Sequence, residues 1–184
     1  MKMRQMDPAS MIFRGLALSM LFAYTGLSQT LTHPIVFVTQ TPEARDFTTI
    51  GSTFGNHLGE VGSAPRGGDL WIRYQDGTLK NLTEAAGFGE SGFQGAQSIA
   101  VRDPAVHWDG EKVLFSMVMG SPVEQFEREE YYWQMYEVTR LGPDMTPVIT
   151  RVPNQPSAYN NVSPIYASDD QIIFTTDCPR NGER

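Results

Sequence analysis

Cysteine is almost missing from this chain of 184 residues: Cys178 stands alone. A lone thiol excludes an internal disulfide and the C-x-x-C pairs that hold zinc or attach c-type haem. It is expected at the end of a strand, as a small apolar residue. Histidine is nearly as scarce, with His33, His57 and His107 far apart in the sequence. No Lys/Arg cluster occurs and the formal net charge is −7. That balance argues against nucleic acid as a partner, because phosphate binding needs clustered positive charge. G-x-S-x-G, H-E-x-x-H and P-loop patterns are missing, so no nucleophile–base or phosphate-cradling set can be assembled. Amphipathic helices are missing too. "SPVEQFEREEYY", Ser121 to Tyr132, is the one candidate for a short helix, and its Glu127, Glu129 and Glu130 read as a solvated face.

What is present is globular in composition, 40% hydrophobic and 19% charged. Lys2, Arg4 and Arg14 precede an apolar run, "GLALSMLFAYTGLS", from Gly15 to Ser28. Basic residues, an apolar stretch and small residues at Gly26 and Ser28 predict a secretory signal peptide over residues 1–28. The run is short for a bilayer span, which takes about 20 apolar residues. An uncleaved N-terminal anchor is the alternative, and Met11 is an alternative start. Cleavage after Ser28 removes three basic residues and one acidic residue, taking the net charge from −7 to −9. The expected location is outside the cytoplasm, periplasmic or extracellular, with membrane contact only through the signal segment if it is retained.

Strand signals dominate residues 29–184. "DPAVHWDGEKVLFSMVMG", Asp103 to Gly120, returns as "SPIYASDDQIIFTTD", Ser163 to Asp177. "HPIVFVTQTP" from His33 is a partial match. Each full copy joins a Pro-led strand, an Asp-containing turn and a β-branched, aromatic strand. A hairpin repeated along a chain is the signature of an array such as a β-propeller. "DLWIRYQDGTLKNLT", Asp69 to Thr83, adds alternating strand residues and an Asp76-Gly77 hairpin turn. "WQMYEVTRL" and "TPVITRVP" supply two more strands. The predicted fold class is all-β. It is a partial propeller of about two and a half four-stranded antiparallel blades: blade one over 34–83, blade two over 103–152 and an incomplete blade three over 163–184.

The two hairpins resemble the "P-x-(W/Y)-S-x-D-G-x-x-I-x-F-x-S" repeat of TolB-like β-propellers, and "NLT" at Asn81 to Thr83 is similar to the close of a blade in that family. The order of segments from "PIVFVTQTP" to "NNVSPIYASDDQIIFTTD" resembles the propeller region of exported proteins related to the hydrazine synthase alpha subunit. That resemblance implies a longer protein with further blades and, often, c-type haem. This chain has no C-x-x-C-H, so no cofactor is expected in it, and haem is expected only in a longer homologous protein. Propeller arrays need about three or more units to cover their faces. The sequence therefore reads as a fragment or truncated ring, with exposed apolar faces and unpaired strand edges.

The candidate ligand-binding residues lie in the Gly-rich loop "STFGNHLGEVGSAPRGGD". His57 has the chemistry of an acid, base or ligand, and Arg66 that of an anion binder; the alternative is a packed loop between blades. His107 reads as structural, and Arg102-Asp103 as the turn opening blade two with Arg102 pairing locally. Asp109, Asp169 and Asp170 belong to turns. Trp71, Trp108 and Trp133 read as packing anchors. Asn81 and Asn161 match the N-x-S/T acceptor pattern. Two functions follow. The first is a non-catalytic periplasmic module that binds or scaffolds an unidentified protein or small molecule. The alternative is the N-terminal part of a haem-dependent oxidoreductase resembling the hydrazine synthase alpha subunit.

Overall fold

A run of six apolar or small residues, Val113 to Val118, is buried without interruption, which requires a strand covered on both faces. That strand is the middle of the molecule. In a computed structural model, which describes residues 31–41, 61, 64–90, 92–124 and 129–180, the described residues are almost entirely strand, turn and loop. β1 (Ile35–Val38), β2 (Leu70–Arg73) and β3 (Leu79–Asn81) form the first antiparallel sheet. β4 (Ile99–Val106), β5 (Lys112–Met119), β6 (Gln134–Thr139) and β7 (Val148–Arg151) form the second, and β8 (Asn161–Tyr166) and β9 (Ile172–Thr176) the third. Strands lie in sequence order within each sheet, every neighbour antiparallel.

The second sheet is sandwiched. Val101 of β4 and Val113, Phe115 and Met117 of β5 pack against Leu70 and Ile72 of β2. On the opposite face, Ala100, Val118 and Trp133 form a smaller cluster, with Val162 of β8 packed against it. Alternation along β4 and β5 sends successive side chains to the two neighbours. Among the described residues, the outward face of the third sheet leaves Ile165 and Ile173 exposed, paired with each other in register.

The sequence repeat is a structural repeat down to its irregularities. Asp103 and Ser163 both have positive φ, 52° and 54°, and both precede proline. At both points the strand register slips by one residue. Proline offers no N–H to a ladder, so a bulge is where a strand accommodates it. Three turns share a second device. Asp76, Asp109 and Asp169 each accept, through Oδ1, the N–H two residues on, at 2.9, 2.8 and 3.3 Å. The next residue has positive φ in each: Gly77, Gly110 and Asp170.

Several expectations need correction. Arg102-Asp103 is not the opening of a strand but a bulge inside β4, which starts at Ile99. Ile99–Val101 gains its strand character from long-range bonds on either side: Gly67 N donates to Ile99 O at 2.7 Å and Gly120 N to Ser98 O at 2.7 Å. β8 likewise begins at Asn161 rather than Ser163. "NLT" does not end in strand. Asn81 closes β3 and caps a single helical turn, α1 (Leu82–Ala85), its Oδ1 accepting from Glu84 N at 3.1 Å. Residues 121–124 and 129–132 are not helical, and the middle of that predicted helix lies outside the described residues. Asn161 is fully buried with its amide bonded to backbone, so it cannot carry a glycan in this fold. Of the three tryptophans, Trp133 is fully buried, whereas Trp108 is 59% exposed at a turn tip. The predicted signal segment, residues 1–28, lies outside the described residues.

Candidate functional site

Of the two candidate ligand residues, His57 lies outside the described residues and Arg66 within them. Arg66 is buried, and two of its three nitrogens point at backbone. Nε donates to Gly120 O at 2.8 Å, and Nη1 to Ala64 O and Val61 O. The guanidinium also lies 5.7 Å from the centre of the Tyr131 ring. Burial lowers its pKa from the ordinary 12.5. The geometry uses Arg66 to tie the loop before β2 to the end of β5.

His107 is 5% exposed and lies between two carboxylates. Nδ1 is 2.8 Å from Asp109 Oδ1 in its own turn, and Nε2 is 2.8 Å from Asp170 Oδ1 in the β8–β9 turn. Trp108 lies against the ring at 3.9 Å between centres, and Tyr166 meets it edge-on at 4.7 Å. A general base needs a nitrogen lone pair aimed at a nucleophile. Here Nε2 faces the Asp170 carboxylate, and Nδ1 faces both the Asp109 carboxylate and the Asp109 N–H at 3.3 Å, so the ring is held as a clasp between repeats. The Asp170 hydrogen bond, helped by Asp109, raises the His107 pKa above 6.5 against burial and Lys112. Asp109 is held below 3.8, chiefly by Glu111 N–H and then by His107.

A raised histidine pKa stabilises the fold fully below pH 6.5, and the contribution fades as pH rises through the folded-state value. A lowered aspartate pKa stabilises above pH 3.8 and fades as pH falls through its folded-state value. The clasp is therefore expected to be strongest between these limits. In thermal melts, the midpoint difference between the native chain and His107→Gln should be largest near pH 5 and shrink towards pH 9. A pH-independent difference would contradict the clasp.

One pair of repeat-equivalent residues meets directly. Asp103 Oδ2 accepts from Arg102 Nε at 2.8 Å, from Ser163 N at 3.0 Å and from Ser163 Oγ at 3.1 Å. Local pairing of Arg102 is thus as expected, and the same carboxylate holds the matching bulge of the next sheet.

A cavity of 450 Å³ borders Arg66, lined also by Pro65, Phe93 and Gln94, and two others stand out among the described residues. One, of 450 Å³, lies beside Gly120 and is lined by Glu129, Glu130, Tyr131 and Tyr132. The Tyr131 hydroxyl donates to Glu129 and the Tyr132 hydroxyl to Glu130, so these polar groups partner one another. The other is a cleft of 660 Å³ between the first and second sheets, at the end where β4 turns into β5. Val36, Ile72, Tyr74, Val106, Trp108 and Leu141 line it. Its polar neighbours are mostly committed. Tyr74 Oη donates to Leu141 O at 2.7 Å, and Lys80 Nζ donates to the carbonyls of Gly142 and Pro143 at 3.0 Å each. Sequence patterns gave no sign of this cleft, because its walls come from four separate segments.

Covalent haem does not fit the residues present: Cys178 follows Asp177 and precedes Pro179, with no second cysteine and no adjacent histidine. No group of three or more potential metal-ligating side chains occurs among the described residues. No protein-family model matches the chain, and no curated protein and no solved structure matches it.

Proposed function

We propose that the chain is a non-catalytic binding or scaffolding module of an exported protein, built from stacked units of a TolB-like β-propeller. The observation that carries this reading is the contact between equivalent residues of consecutive units. Asp103 and Ser163 stand 60 positions apart at the same bulge, and they bond to each other. Residues related by a repeat meet in this way when units stack by a constant rotation. Arg66 and His107 support the binding reading over the catalytic one, because Arg66 Nε and Nη1 are spent on backbone carbonyls and His107 lies between turn carboxylates.

The test has two parts. In a double-mutant cycle, Asp103→Ala and Ser163→Ala should couple by about 1 kcal/mol, as residues sharing a hydrogen bond do. Additive effects would remove the stacking argument. The full chain, expressed with its N-terminal segment in a host that matures c-type cytochromes, should purify from the periplasm without a Soret band. A haem band surviving denaturing wash would replace this reading with the oxidoreductase one.

A further inference from the structure

Val106 and Tyr166 occupy the same place in consecutive units. Each is the last residue of its strand, each precedes the first residue of an Asp-containing turn, and each faces the preceding sheet. They differ in what they fill. Tyr166 closes the junction of the second and third sheets. Its ring is edge-on to His107 at 4.7 Å and to Trp108 at 6.3 Å, with Lys112 Nζ 5.1 Å from its centre. Its hydroxyl donates to Glu137 Oε2 at 2.9 Å. Burial, reinforced by Glu137, drives its pKa far above the ordinary value of 10.0, so the phenol is neutral. At the junction of the first and second sheets, Val106 stands in the tyrosine's place and fills little of it. The 660 Å³ cleft lies there, with Val106 in its wall. Val106 stays 52% exposed beside it, and Trp108 presents an exposed ring.

We infer that this cleft binds an uncharged aromatic ring of phenol size, seated where the repeat elsewhere places the Tyr166 ring. The inference rests on reading the chain as a binding module, and it names the chemistry of the bound group. The walls fit such a guest: Trp108 offers an aromatic face, while Val106, Ile72 and Leu141 offer an apolar floor. Volumes of 300–1,000 Å³ are typical of small-molecule sites, so a substituted ring also fits. Asp109 at the rim disfavours an anionic guest. The ring can belong to a free small molecule or to an aromatic side chain of a protein partner, since both present the same face and edge.

The experiment titrates p-cresol and, separately, N-acetyltyrosinamide into the full chain. Backbone and indole amide shifts are followed by NMR, with the Trp108 indole assigned through Trp108→Phe. Saturable shifts at Trp108, Val106 and Ile72 are expected, with a p-cresol dissociation constant of about 1 mM for so small a ligand. Binding of both probes points to a partner's side chain, and binding of p-cresol alone to a free aromatic molecule; both outcomes uphold the inference. Val106→Tyr supplies the missing ring from within. It should weaken p-cresol at least about tenfold while the melting temperature holds or rises. Failure of both probes to shift these residues overturns the inference, as does undiminished binding to a folded Val106→Tyr chain. Either failure leaves the stacking of units untouched, since the Asp103–Ser163 coupling measures that independently.

Discussion

Phe115→Ala is expected to lower the free energy of unfolding by about 3–5 kcal/mol, the range for deleting a fully buried aromatic ring and leaving a cavity. Phe115 has no solvent exposure and lies in the middle of β5. Its ring stacks on Tyr136 at 6.0 Å between centres, inclined by 27°. The same cluster includes Leu70 and Ile72 of the first sheet, so the lost contacts bind two sheets together rather than one sheet to itself. Against a typical net stability of about 5–15 kcal/mol, that loss is about a fifth of the total or more. Ile173→Ala supplies the contrast. Ile173 is a strand residue of comparable size, but it is 56% exposed on the outer face of the third sheet. Its truncation is expected to cost under about 1 kcal/mol. Urea melts of the two variants and the native chain measure both values. A Phe115→Ala cost as small as that of Ile173→Ala would mean that the first sheet does not pack on the second.

The elements legible in the sequence were those whose signal is local. Val113 to Val118 declares a doubly covered strand by its unbroken run, and Asp76-Gly77 and Asp109-Gly110 declare turns by the positive φ that glycine accepts. Asp170 is different. It fills the glycine position of its turn with φ 63°, and there its carboxylate reaches His107, 63 residues earlier. The substitution of Asp for Gly at a repeat-equivalent turn position was the available signal, but its partner depends on how two sheets stack. Ile99–Val101 was hidden for a similar reason. These residues follow a Gly-rich stretch and become strand because Met117, Val118 and Met119 pair with them. The cleft was legible only after the fact, through the replacement of Tyr166 by Val106 at the equivalent position. Arg66 was legible only as two alternatives. An arginine between Pro65 and Gly67-Gly68 reads as an anion binder or as part of a packed loop, and a carbonyl 54 residues further on draws it inside.

Arg66→Ala is therefore expected to destabilise the chain by about 3 kcal/mol, the scale set by stranding buried carbonyls that lose a charged donor. Three acceptors are affected, Val61 O, Ala64 O and Gly120 O, and a cavity opens against Tyr131. Gly120 has little freedom to relax. Its φ is 86°, and a Cβ there would meet the Tyr131 ring at 2.6 Å, so ring and backbone already touch. Arg66→Lys should recover less than half of the loss, because one ammonium cannot reproduce a planar fork that reaches acceptors in two directions. An anion-binding role makes a separate forecast. Millimolar phosphate would raise the melting temperature of the native chain and leave Arg66→Ala unmoved. The committed directions of Nε and Nη1 argue for the structural outcome, a loss of stability that phosphate neither imitates nor repairs. Phosphate stabilisation confined to the native chain would instead return Arg66 to the role of an anion ligand and move the binding surface to the loop before β2.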